Sequence, residues 1–230
     1  MTTILANLQA VGERIAVACA AVGRRPESVA LLAVSKTWPA PAIRAAAAAG
    51  QHAFGENYIQ EALEKIQALQ DLKAEWHFIG PLQSNKTRAV AENFDWVHGV
   101  DRIKIAGRLS AQRPAAMAPL QTCIQVNVSG EHSKSGCAPE EALALARAIN
   151  GLPHLQLRGL MAVPEATDDA ALLASRFAAL RQLLERINAT GLKLDTLSMG
   201  MSHDLEIAIA EGATIVRVGT AIFGERIKID

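Results

Sequence analysis

Aromatic residues are scarce: five phenylalanines, three tryptophans and one tyrosine make up 4% of 230 residues. A surface that stacks nucleobases needs more rings than that. An excess of one charge is missing as well, because 23 Lys and Arg balance 23 Asp and Glu. Nothing in that balance favours nucleic acid or an anionic membrane as a partner. The three cysteines, Cys19, Cys123 and Cys137, show no CxxC spacing, and an odd count leaves one unpaired. That excludes a disulfide framework or a zinc site and suits reduced thiols in a cytoplasmic protein. No Lys or Arg precedes Arg14, which argues against a secretory signal. The longest uncharged run, residues 114–130, is broken by Pro, Gln, Thr, Asn and Ser and does not span a bilayer. The expectation is a soluble, cytoplasmic protein with no membrane or nucleic-acid partner.

What the chain has instead is aliphatic: half its residues are hydrophobic. Ile4, Leu8, Val11 and Ile15 recur at helical spacing and mark a helix before any strand, ending near Gly23. From there strands and helices alternate. Strands are expected at 29–35, 52–56, 76–79, 95–98, 122–128, 155–163, 194–198 and 214–218. Between them lie an alanine-rich helix over 39–49, a face of Ile59, Ala62, Leu63, Ile66 and Leu69, and a helix capped by Ser84. Further on come a helix capped by Asp101, one opened by Pro139, a stripe of Leu173, Phe177, Leu180, Leu184 and Ile187, and a helix over 204–211. Eight such units in 230 residues read as one α/β domain over 1–230, a (β/α)8 TIM barrel with an extra N-terminal helix. A doubly wound open sheet is the competitor. It usually has fewer strands and a glycine-rich turn after the first, where this chain has Lys36-Thr37-Trp38.

Barrel active sites sit at the C-terminal ends of the strands. Those ends carry Lys36, then Glu56 and Asn57, then Gln83 to Lys86, then His98, Asn127 and Lys134. Met161, residues 199–203, and Arg217, Gly219 and Thr220 complete the rim. Lys36 follows the apolar run Leu31-Leu32-Ala33-Val34. Burial at a strand end disfavours an ammonium ion, and a neutral amine is what Schiff-base chemistry with an aldehyde requires. The alternative is a lysine that snorkels to a solvated rim. The loops at 198–204 and 219–224 combine glycines with the hydroxyls of Ser202 and Thr220 at helix starts, a chemistry that suits phosphate. They follow strands seven and eight, where barrel phosphate sites are frequent. A Schiff-base lysine facing a phosphate cradle fits pyridoxal 5′-phosphate (PLP) or a phosphosugar in an aldolase. Arg217 either donates to the pyridine nitrogen of such a cofactor, keeping it unprotonated, or pairs with an acid such as Glu225 or Glu56.

Seven stretches then resemble one family, the single-domain pyridoxal phosphate homeostasis proteins, similar to the N-terminal barrel of alanine racemase. They are LLAVSKTWP at 31–39, FGENYIQEALEK at 54–65, WHFIGPLQSNK at 76–86, IQVNVSGEHSKSG at 124–136, RGLMAVP at 158–164, LSMGMSHDLEIAI at 197–209 and VRVGTAIFGER at 216–226. The resemblance implies fold-type III PLP binding with the Schiff base on Lys36. It also implies Ser202, Gly219 and Thr220 around the phosphate, Arg217 near the pyridine nitrogen, and Asn57 and Met199 near the cofactor. Alanine racemase adds a second domain whose tyrosine works from the opposite face of the cofactor, whereas the one tyrosine here, Tyr58, lies in an early helix. A monomer that binds, buffers and delivers PLP to apoenzymes is therefore expected, without robust turnover. Lys86 and Lys134 are candidate transient acceptors, and His203 a candidate second base. A weak racemase and a Schiff-base aldolase are the competing readings.

Overall fold

A computed structural model describes residues 3–130 and 135–225. Helix α1 (Ile4–Ala21) leads into β1 (Ala30–Val34), and α2 (Ala40–Ala48) connects it to β2 (Ala53–Glu56). The alternation continues through α3 (Ile59–Ala68), β3 (Glu75–Phe78), α4 (Thr87–Asn93), β4 (Trp96–Val100), α5 (Ile103–Gln112) and β5 (Leu120–Gln125). It ends with α6 (Ala142–Asn150), β6 (Leu155–Met161), α7 (Ala170–Asn188), β7 (Thr196–Ser198), α8 (Leu205–Ala210), β8 (Ile215–Val218) and the short α9 (Thr220–Phe223). All eight strands are parallel, each pairs with its neighbours in sequence, and β1 pairs with β8, so the sheet closes on itself. This is the expected barrel with its extra N-terminal helix, and closure rules out the open sheet.

Side chains alternate across each strand. Ala33, Phe54, Phe78, Val97, Ile124, Leu160, Leu197 and Val216 join the helices in one large apolar cluster. Leu32, Trp96, Cys123, Met161 and Ile215 form a separate cluster in the lumen. On α7 the buried stripe is Leu173, Phe177, Leu180, Leu183 and Ile187. Each such side chain contributes roughly 1.5–3 kcal/mol when fully buried. Leu183 takes the place expected of Leu184, which is only partly buried.

Several expected boundaries move, each for a local reason. Ser84 caps no helix; residues Ser84–Lys86 form a 3-10 turn ahead of α4, tied by the Thr87 hydroxyl to the Ser84 carbonyl at 3.0 Å. Asp101 is held by neighbouring Arg102 at 2.7 Å and does not cap α5. Pro139 opens a turn closed by the Glu141 N–H on the Ala138 carbonyl, and α6 begins only at Ala142. The fifth strand ends at Gln125 because Cys137 folds back on Val126, its N–H donating to the Gln125 carbonyl at 2.9 Å. Asp204, expected within α8, is its N-cap residue.

Helix α1 is long and apolar enough to cross a bilayer by length and composition alone. Here it packs against α8 and α9. Asn7 donates to the Ile222 carbonyl at 2.8 Å, Arg14 grips Glu206 at 2.7 Å and the Ser202 carbonyl at 2.9 Å, and Arg24 donates to the Ile209 and Ala213 carbonyls at 2.8 Å. The extra helix thus braces the two loops expected to hold phosphate.

All three thiols are buried, and burial pushes Cys123 and Cys137 up to about 12. A thiol, unlike a thiolate, is a poor nucleophile. The folded protein is expected to resist iodoacetamide at mildly alkaline pH and to take up three adducts after urea unfolding, read by intact mass. Labelling of Cys123 in the folded state would contradict this burial.

Candidate functional site

The β1–β8 pairing aligns Leu32 with Arg217 and Ala33 with Val218. Lys36 therefore leaves the sheet beside the turn that starts at Gly219. Trp38 stacks on Phe223 of α9, with ring centroids 5.8 Å apart and planes 27° apart, which joins the lysine turn to the last loop. Between them lies a cavity of about 270 Å³ at the C-terminal mouth of the barrel. That is close to the small end of the range for ligand pockets, roughly 300–1,000 Å³. Lys36, Asn57, Ser202, Arg217, Gly219 and Thr220 all line it, together with Trp38, Met201 and His203. Six of the seven expected residues thus meet in one space. Met199 does not: it is fully buried in the packed core, and Met201, two residues on, faces the cavity instead.

The turn carrying Lys36 is held from below. The Trp38 N–H closes it on the Ser35 carbonyl at 3.0 Å, and Thr37 adopts φ +68°, a left-handed conformation that is costly for a β-branched residue. Three charged side chains hold this geometry. The Ser35 hydroxyl hydrogen-bonds Glu56 at 2.6 Å, the Thr37 N–H donates to Glu61 at 2.5 Å, and the Lys65 ammonium donates to the Ser35 carbonyl at 2.8 Å. Lys65 also pairs with Glu56 at 2.8 Å and with Glu61. Burial is the largest influence on Glu56 and raises its pKa, with Lys65 opposing. Lys65 is only 6% exposed, so α3 turns a charged residue, together with Ala62, towards the barrel. Ile66 and Leu63, expected on that face, are only partly buried. The i, i+4 spacing of Glu61 and Lys65 was visible in the sequence, but their burial was not.

Arg217 pairs with neither Glu225 nor Glu56. Its guanidinium is buried and donates to the Ser198 carbonyl at 2.6 Å, the Ser198 hydroxyl at 2.8 Å and the Ala162 carbonyl at 2.8 Å. Burial lowers its pKa to about 10, with Asp204 opposing, so it stays a cation at neutral pH. Three bonds leave donor capacity on a five-donor group that also lines the cavity. In the Ser202 loop, Gly200 has φ +93°, and a Cβ there would come within 2.5 Å of Ala208 Cβ. Asp204 accepts from the Met201 N–H, which curls this loop toward α8. At the other loop, a Cβ on Gly219 would sit 3.2 Å from the Val34 carbonyl. The N–H groups of Ile222 and Phe223 both return to Gly219, so those of Thr220 and Ala221 precede the first helical bonds.

Other rim candidates fall elsewhere. His98 is fully buried inside the barrel, Met161 belongs to the lumen cluster, and residues 83–86 do not line the cavity. Lys134 lies outside the described residues.

Breaking a buried ion pair by removing one partner costs about 3–5 kcal/mol, because the other charge stays behind. Lys65→Met is expected to lose about that much stability in urea titration, and adding Glu56→Gln is expected to restore part of it. Additive losses in the double variant would show that the two do not interact. Thr37→Gly is expected to cost nothing or to stabilise by up to about 1 kcal/mol, since glycine tolerates positive φ.

Residues 6–227 match the family described as alanine racemase, N-terminal domain. The pyridoxal phosphate homeostasis protein of Pseudomonas aeruginosa is 62% identical over 226 residues, covering 98% of this chain and 97% of that one. The Escherichia coli protein of the same name is 52% identical over 234 residues, covering 98% of each. Among solved structures, PipY of Synechococcus elongatus with PLP bound superposes with a TM-score of 0.82 at 42% identity, over 93% of this chain and 100% of that one. An alanine racemase of Clostridium difficile shares the fold alone, at 14% identity and a TM-score of 0.77, with 99% of this chain covering 58% of its length. A closed barrel with this lysine turn, matched over nearly its whole length by these relatives, belongs to the pyridoxal phosphate homeostasis protein family.

Proposed function

We propose that the protein holds PLP reversibly in the mouth cavity as a Schiff base on Lys36 and takes part in PLP homeostasis without robust catalysis. The observation that carries this reading is the convergence of Lys36, Arg217 and the Ser202 and Thr220 loops on one small cavity. The residues present fit the cofactor. Asn57 lines the cavity with a buried Oδ1 that has no hydrogen-bond partner, an acceptor left for a ligand donor. Gly219 lines the cavity where a Cβ would crowd the Val34 carbonyl at 3.2 Å, so the last loop keeps its backbone close to β1 there.

Ser202, Gly219 and Thr220 would hold the phosphate, Asn57 the substituted ring edge and Arg217 the ring nitrogen. PLP supplies an aldehyde for the amine and an electron-withdrawing ring. A guanidinium at the ring nitrogen keeps that nitrogen unprotonated and so limits the ring as an electron sink. This favours holding over turnover. The one tyrosine of the sequence, Tyr58, is 53% exposed and does not line the cavity, so it supplies no second base there. Val163 and Met201 line the cavity and are 39% and 37% exposed, which leaves the mouth open for exchange with PLP-dependent apoenzymes. In this reading the protein is a cytoplasmic monomer.

Incubation with PLP is expected to give a visible absorbance band, and borohydride reduction a stable adduct mapped to Lys36 by peptide mass. Lys36→Ala is expected to lose both. A colourless wild-type protein overturns the reading. Cα deuterium exchange of alanine by the loaded protein is expected to run no faster than with free PLP; faster exchange would make the protein a weak racemase.

A further inference from the structure

The lumen of the barrel holds an unbroken line of polar side chains that the proposed chemistry does not use. Glu75 Oε1 lies 2.6 Å from His77 Nε2, His77 Nδ1 lies 2.9 Å from His98 Nε2, and His98 Nδ1 lies 2.8 Å from the Ser198 hydroxyl. That hydroxyl in turn meets Arg217 at 2.8 Å. The line runs from β3 to β4, crosses the lumen to β7 and reaches β8 at the cavity. His77 and His98 are buried, whereas the Glu75 side chain is about half exposed.

With both rings neutral, the carboxylate end allows only one direction. A guanidinium has no acceptor, so Arg217 donates to Ser198. A hydroxyl oxygen accepts twice, so this end alone does not direct the Ser198 proton; the carboxylate end does, and it leaves His98 Nδ1 to accept that proton. His98 Nε2–H donates to His77 Nδ1, and His77 Nε2–H donates to Glu75, a carboxylate that only accepts. Each acceptor lone pair faces the cation and each N–H faces the anion, so the bond dipoles favour both ends. Burial lowers the pKa of both imidazoles, His98 well below the usual 6.5, which agrees with two neutral rings. The hydrogen bond from His77 lowers Glu75, which agrees with a carboxylate. His77 also stacks on Trp96, with planes 5° apart, so its ring is fixed by packing as well.

We infer that Glu75, His77, His98 and Ser198 form a one-directional hydrogen-bond wire that locks both imidazoles as Nε2–H tautomers and positions Arg217 at the cavity. These four are positioning residues, acting through Arg217. The consequence for the cofactor rests on the reading of the cavity as a PLP site; the tautomers do not.

The test is 15N imidazole spectroscopy of the cofactor-free full chain at neutral pH, with His77 and His98 assigned by their loss in H77Q and H98Q. Both rings are expected as neutral Nε2–H tautomers. An Nδ1–H tautomer or a doubly protonated ring at either position overturns the wire, even if PLP binds normally. Ser198→Ala keeps the carboxylate that imposes direction, whereas Glu75→Gln, which donates as readily as it accepts, removes it. Ser198→Ala is expected to keep both tautomers and Glu75→Gln to show a mixture; unchanged tautomers in Glu75→Gln overturn the assignment of direction to the carboxylate. Ser198→Ala is expected to weaken PLP binding about tenfold, the equivalent of one hydrogen bond to a charged group. Unchanged affinity in a folded Ser198→Ala overturns the positioning role. Expected tautomers in a protein that never binds PLP would leave the wire standing and refute the PLP reading instead.

Discussion

Closure of the sheet between β1 and β8 is the constraint on which the site depends. Four register pairs, from Ala30 with Ile215 to Ala33 with Val218, join the two ends of the chain's strand order. They leave the barrel no open edge. They also decide what faces what: the residues after Val34 and after Val218 emerge side by side, about 180 positions apart in sequence but neighbours at the mouth. Lys36 and Thr220 line one cavity for that reason. Helix α1 reinforces the same seam from outside, because Arg14, Arg24 and Asn7 all bond to α8, α9 or the turns beside them.

Charge inside this barrel is handled by two separate devices. Below the lysine turn, Lys65 sits between Glu56 and Glu61, and the three hold Ser35 and Thr37 in a conformation the backbone would not choose alone. Such clusters are weak sources of net stability, since desolvation offsets much of the attraction. Their use here is geometric: they direct the residue between Ser35 and Thr37 into the cavity. Arg217 is treated differently. Backbone carbonyls and a hydroxyl receive it, so its hydrogen bonds engage no carboxylate, and Asp204 acts on it only through space. A ring nitrogen placed there would meet a donor that does not give up its proton.

Much of the architecture was legible without coordinates. Periodicity identified all eight strands and the order of helices, because parallel barrel strands are apolar runs and the helices carry apolar stripes of regular spacing. Helix starts were less readable. Ser84 and Asp101 have capping side chains by type, yet a 3-10 turn and a neighbouring arginine engage them first. Within the site, residues at strand ends were predictable from the rule that barrel mouths carry function. Met199, implied by the resemblance, is buried while Met201 lines the cavity; both are methionines in one loop, and sequence does not say which turns inward. Polar residues in the lumen were harder still. His77 alternates with Trp76 and Phe78, a pattern that places it on the opposite face of β3, but which face is the lumen depends on the other strands.

The amino-acid sequence by itself determined the fold and the chemical types gathered at the barrel mouth, because those follow from local periodicity and from strand ends, while seven stretches carried the resemblance to the family. Only the tertiary structure decided which polar groups touch. The bond from His98 to Ser198 spans 100 residues, and the bonds of Arg217 reach two different strands' ends. Such contacts are set by strand tilt and register summed around a closed barrel, a quantity no single segment contains.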